Sequence, residues 1–106
     1  DTQKRPLMAQ IAYKLSNQLI LTSDNPRYED PEAIIEAMKQ GLTASQQSKT
    51  WTILDRVEAI KVAYQMAQPH DILLIAGKGH EDYQEIAGIK YPLSDEEVVR
   101  GLIGSA

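Results

Sequence analysis

With 106 residues, 42% of them hydrophobic and 25% charged, the chain is sized for one hydrophobic core and one domain. A net charge of -4, a pI near 5.1 and cations scattered rather than blocked argue against nucleic acid and anionic membrane surfaces as partners. There is no cysteine for a disulfide or thiolate metal site, which by itself leaves the compartment open, and the two histidines make a poor zinc signature; no apolar run reaches transmembrane length and no basic n-region precedes an apolar h-region at the start, so the chain reads as soluble and cytoplasmic.

From Pro6 the apolar residues Leu7, Met8, Ile11, Ala12 and Leu15 recur at helical spacing, with proline in a first turn where its missing N–H costs little. Leu19, Ile20, Leu21 and Thr22 form a short unbroken run, the pattern of a strand buried on both faces. Asp30 is placed to cap a second helix and Pro31 to open it; Ile34, Ile35, Met38 and Leu42 supply its apolar face and Gly41 its end. Residues 43–49 read as a polar linker. Residues 50–54 are rich in β-branched and aromatic side chains and predict a second strand, with Trp51 in the core. Asp55 and Glu58 have capping-box spacing, and Val57, Ile60, Tyr64 and Ala67 stripe a third helix that Pro69 ends. Residues 72–76, Ile-Leu-Leu-Ile-Ala, carry the strongest buried-strand pattern in the chain. Residues 83–86 and 89–93 flank Ala87-Gly88 as a hairpin, and Ser94 with Glu97 caps a last helix bearing Val98, Val99, Leu102 and Ile103.

Helices alternating with strands predict an α/β fold with a mostly parallel sheet flanked by helices and a C-terminal β-hairpin. The pattern opens on a helix and the chain on Asp1, so a first strand is expected to be missing and the chain to be part of something longer. In such sheets ligands bind outside the carboxyl ends of the strands. Three loops are expected there: Asp24-Asn25-Pro26-Arg27, Asp55-Arg56 and Gly77-Lys78-Gly79-His80-Glu81. Pro26 fixes its own φ and biases Asn25 towards an extended backbone, so an amide and a guanidinium are presented on a stiffened turn. Asn25 can donate and accept; the Arg27 fork matches a carboxylate or phosphate. Taken alone, the same turn reads more readily as an Asx-type turn with a solvated arginine. Gly77 and Gly79 permit close backbone approach to a ligand, with Lys78, His80 and Glu81 adding charge, or simply make a tight turn into the hairpin. Their spacing is neither that of a P-loop nor GxGxxG. Asp55 reads as a helix cap, Arg56 as a solvated first-turn residue, His70 as loop, Tyr64 and Tyr83 as core, and Lys4 and Arg5 as a solvated charge pair near a chain end.

Together, LTSDNPRYEDPEAII, the Asp55-Arg56 pair with Ala59 and Ile60, AGKGHEDYQ, and KRPLM near the start resemble the C-terminal domain of the Mur ligase family, in the branch that adds meso-diaminopimelate. The resemblance implies that residues 1–106 are the Rossmann-like third domain of a three-domain, bacterial, cytoplasmic enzyme. That enzyme would use ATP to activate the D-glutamate carboxylate of a UDP-N-acetylmuramoyl dipeptide as an acyl phosphate, which the amine of diaminopimelate attacks. The ATP and Mg2+ sites are then expected mainly in the central domain, so these residues alone are not expected to make an amide bond, and they are expected to hold no catalytic group or metal ligand. Carried over by motif, Asn25, Arg27, Gly77 and Glu81 are the expected contacts to meso-diaminopimelate, with Asp24, Pro26, Lys78, Gly79 and His80 supporting them. Arg27 and Glu81 offer the opposite charges that a zwitterionic end needs. The family pattern also has an arginine in a Gly-Asp-Arg-Asp segment just before the position matching Asp1. The competing readings are a stand-alone α/β module that holds a small anion or nucleotide without catalysis and, more weakly, a structural or interaction domain.

Overall fold

Pro6 lies in the first turn of α1 (Arg5–Leu15) in a computed structural model that describes residues 4–76 and 81–104. The remaining elements are β1 (Ile20–Leu21), α2 (Pro31–Lys39), α3 (Ala44–Ser48), β2 (Trp51–Thr52), α4 (Arg56–Met66), β3 (Tyr83–Ile86), β4 (Ile89–Pro92) and α5 (Asp95–Gly104). Asp30 caps α2 as its position predicts, accepting the Glu32 N–H at 3.1 Å, and Pro31 opens the helix. Ile35 of α2 and Leu42 just beyond it are buried in the core with Ala9 of α1, Ala59 and Ile60 of α4 and Leu21 of β1. Gly41 follows α2 because α1 comes that close: a Cβ there would sit 1.9 Å from the Pro6 carbonyl oxygen.

β1 and β2 pair in parallel, Ile20 opposite Trp51 and Leu21 opposite Thr52, with helices making the crossover. The Trp51 and Ile53 N–H groups donate to the Leu19 and Leu21 carbonyls, each at 3.0 Å. β3 and β4 form the expected antiparallel hairpin, from Tyr83 opposite Pro92 to Ile86 opposite Ile89. Ala87 and Gly88 both take positive φ, 51° and 80°, as a two-residue turn matched to strand twist requires. Ser94 caps α5 through the Glu97 N–H at 3.3 Å, and α5 packs on α4. The α/β class therefore stands: a small parallel sheet with helices and a separate hairpin.

Several expectations fail, each for a physical reason. The supposed linker at 43–49 contains α3, because Thr43 and Gln46 satisfy each other's backbone N–H in a capping box. Asp55 precedes α4 without a side-chain cap bond. Residues 72–76 form no strand: Ile72 is 95% and Leu74 84% exposed. An apolar run demands burial but cannot supply the neighbour, and among the described residues no backbone group of 72–76 bonds to β1 or β2. Trp51 is half exposed because β2 is open on both of its residues, and Tyr64 and Tyr83 are half-buried. Arg5 is no solvated end charge; it forks onto Glu29 at 2.8 and 2.9 Å. Among the described residues no helix is long and apolar enough to cross a membrane.

Candidate functional site

The exit of β1 builds the site. Ser23 and Pro26 are buried, the Ser23 hydroxyl donates to the Leu54 carbonyl at 2.8 Å, and the Glu29 N–H closes a turn onto the Pro26 carbonyl at 2.9 Å. Within that turn Arg27 adopts φ 56°. Its backbone bridges to Ile86: the Arg27 N–H donates to the Glu85 carbonyl at 2.8 Å, and the Arg27 carbonyl accepts from the Ala87 N–H. The turn is thus laid along the outer edge of the hairpin. The Arg27 side chain is 55% exposed and ion-pairs loosely with the hairpin, its Nε 3.8 Å from the Glu85 carboxylate, too far for a hydrogen bond.

Asn25 ties the turn to two further groups. Its Oδ1 accepts the Glu85 N–H at 2.8 Å and its Nδ2 donates to Glu81 Oε1 at 2.9 Å. Tyr83 donates its hydroxyl to Glu81 Oε2 at 3.2 Å, and Lys90 Nζ stands 4.6 Å over the Tyr83 ring. Gln84 completes the seam, its Nε2 donating to Ser23 Oγ at 3.0 Å and to the Asp24 carbonyl at 2.7 Å. Of the residues singled out in the sequence, Asp24, Asn25, Pro26, Arg27 and Glu81 are therefore gathered on one edge. Gly77, Lys78, Gly79 and His80 lie outside the described residues.

Arg56 is the residue that the sequence reading misjudged. It is 2% exposed. Nε and Nη2 donate to the two Asp95 oxygens at 2.8 and 2.7 Å, Nη1 donates to the Ser23 carbonyl and Nη2 to the Ala76 carbonyl, both at 3.1 Å. Burial opposes its charge, but the hydrogen bonds and charge of Asp95, with help from Asp24, more than reverse this and raise its pKa above the ordinary arginine value. A local signal was available: a cation in the first turn of a helix runs against the dipole, so it serves something other than α4. Its partner, thirty-nine positions away, was not legible.

Chemically, the edge offers a presented guanidinium, a carboxylate and a primary amide, a set that suits a zwitterion. Among the described residues no group of three or more histidines or carboxylates could hold a metal ion. Two hollows of about 290 and 260 Å³ lie elsewhere, one at Tyr13 and Lys49 and one at Glu32 and Leu54.

Residues 1–79 match the sequence profile of the family described as Mur ligase, glutamate ligase domain. A UDP-N-acetylmuramoyl-L-alanyl-D-glutamate--2,6-diaminopimelate ligase from Phocaeicola vulgatus is 52% identical over 105 residues, 99% of this chain and 22% of the relative. The ligase of the same name from Aquifex aeolicus is 53% identical over 104 residues, 98% of this chain and 21% of the relative. A solved structure of a ligase so named superposes with a TM-score of 0.91 at 51% identity, covering 99% of this chain and 21% of that one. The chain spans about a fifth of the length of the curated relatives it matches.

Proposed function

The chain belongs to the Mur ligase family, and we propose that it is the amino-acid-binding domain of a ligase that joins meso-diaminopimelate to UDP-N-acetylmuramoyl-L-alanyl-D-glutamate in peptidoglycan synthesis. ATP with Mg2+ would supply the activation of the D-glutamyl carboxylate as an acyl phosphate, and attack of the diaminopimelate amine on its acyl carbon would form the amide and release phosphate. Because the chain spans only about a fifth of the relatives it matches, that activation is assigned to other parts of a larger, three-domain protein. The reading carries a bacterial, cytoplasmic location with it. The part of residues 1–106 is to hold the distal, non-reacting end of the amino acid: Arg27 for its carboxylate, Glu81 for its ammonium, with Asn25 and Gly77 as further contacts.

The observation that carries this reading is the coupling of Asn25 to Glu81 beside an exposed Arg27. Asn25 and Glu81 are fifty-six positions apart in the chain, yet one hydrogen bond brings the anionic and amide groups together. Lysine differs from diaminopimelate only in lacking the distal carboxylate, so an enzyme that separates them must read that group. A charged hydrogen bond is worth about 1.5–3 kcal/mol, which corresponds to roughly ten- to more than a hundredfold. In the full-length ligase, Arg27→Ala should lower kcat/KM for meso-diaminopimelate by at least about tenfold while changing the poor activity on lysine little. An equal fall on both substrates would make Arg27 a support of the fold or of closure instead.

A further inference from the structure

We propose that Arg56, oriented by Asp95, is a positioning residue for this substrate edge, acting through the backbone that leads into the 24–27 turn. The proposal rests on the reading of that edge as the amino-acid site. Arg56 is buried, and its guanidinium nitrogens are engaged by the Asp95 carboxylate and the Ser23 and Ala76 carbonyls, so direct contact with substrate is not its role.

Its reach explains the alternative. Nη1 takes the carbonyl of Ser23, the residue immediately before Asp24. The other polar groups of Ser23 are held as well, the N–H and hydroxyl by the Leu54 carbonyl and the Oγ by Gln84. Ser23 is thereby an anchored post from which Asn25 and Arg27 hang two and four residues on. The same guanidinium takes the Ala76 carbonyl, so one rigid plane sets the end of the β1 exit against the end of the 72–76 segment. Asp95 fixes that plane by binding it at two points from the first turn of α5, where a carboxylate also suits the helix dipole.

Stability alone does not call for this arrangement. A buried ion pair carries a desolvation cost, and an apolar pair of similar volume often serves the fold as well. What an apolar pair lacks is the pair of N–H groups for two carbonyls from separate segments. Lysine would keep the charge and lose the fork.

The test uses the full-length ligase with Arg56→Lys, Asp95→Asn, and the double variant Arg56→Met with Asp95→Leu, which removes both charges together. Melting temperature, kcat and the KM of each substrate are measured. The expected result is a rise of about tenfold or more in KM for meso-diaminopimelate in all variants that fold, the double variant included, with KM for ATP and for the UDP-linked dipeptide within about twofold of wild type. Arg27→Ala should also cost less on the Arg56→Lys background than on wild type, because a displaced turn has already weakened its contact. A wild-type KM for diaminopimelate in the folded double variant would overturn the proposal. So would failure of all three variants to fold, which would make the pair a structural pin. If Arg27→Ala shows no selective loss on diaminopimelate, the reading of the edge itself fails; if that loss appears and the Arg56 variants keep their KM, only this inference falls.

Discussion

Arg27 sits in the left-handed region, where a side chain costs about 1–2 kcal/mol that glycine would not incur. Its two backbone bonds to the hairpin, one given to Glu85 and one accepted from Ala87, offset that cost and hold the turn in place. Two positions on, Glu29 is gripped by Arg5. The hydrogen bond from Arg5, opposed by slight desolvation and aided by the charge attraction, holds the Glu29 carboxyl below its ordinary pKa. With the native pKa depressed, the carboxylate stabilises the fold above its unfolded value of about 4.3, and this contribution is lost as pH falls through the lowered native value. Glu29→Gln should therefore lower Tm slightly at pH 7 and leave it unchanged below both pKa values, with the effect at pH 7 shrinking in high salt because the pair is exposed. A difference in Tm that persisted in acid would assign the effect to packing of the side chain rather than to its charge.

At the scale of elements, the site depends on two docking events. The hairpin holds the 24–27 turn through Arg27, Asn25 and Gln84, so a four-residue turn inherits the rigidity of an antiparallel ladder. α1 holds the same region from the other side through Arg5, and its own place against α2 depends on Gly41. A methyl group at Gly41 would collide with Pro6 backbone, not with a flexible side-chain end. Gly41→Ala should therefore push the first turn of α1 off α2 at a cost of about 1–3 kcal/mol, the range for overpacking a fitted contact. Urea denaturation measures it; a cost below about 0.5 kcal/mol, the size of an ordinary surface change, would show that the two helices can separate freely.

For the whole molecule, a slab of 37 × 36 × 18 Å is thin enough that little of the chain is covered on every side. The core is correspondingly small: Ile35 is its largest fully buried side chain. Ile35→Ala should cost about 2–5 kcal/mol, from lost transfer energy and the cavity left behind. Ile72 lies almost wholly in solvent, so Ile72→Thr in the 106-residue chain should change stability by no more than about 0.5 kcal/mol. Comparable losses for the two, read from urea midpoints at constant m-value, would mean that residues 72–76 are packed as a third strand after all.

Local signals in the sequence determined the order of helices and strands around β1, the Asp30 and Ser94 caps, the hairpin about Ala87-Gly88, and the stiffened turn that carries Asn25 and Arg27. These depend on periodicity, capping and turn chemistry that operate within a few residues. The motifs also carried the family and singled out Asn25 and Glu81, which the fold brings together. Only the tertiary structure decided that Asn25 would bond to Glu81, that Arg56 would be buried against Asp95 and grip Ser23, and that Trp51 and Ile72 would face solvent. Those outcomes turn on which distant segments become neighbours. Burial and pairing belong to the space around a residue, and neither the apolar run at 72–76 nor the charge on Arg56 specifies what will occupy it.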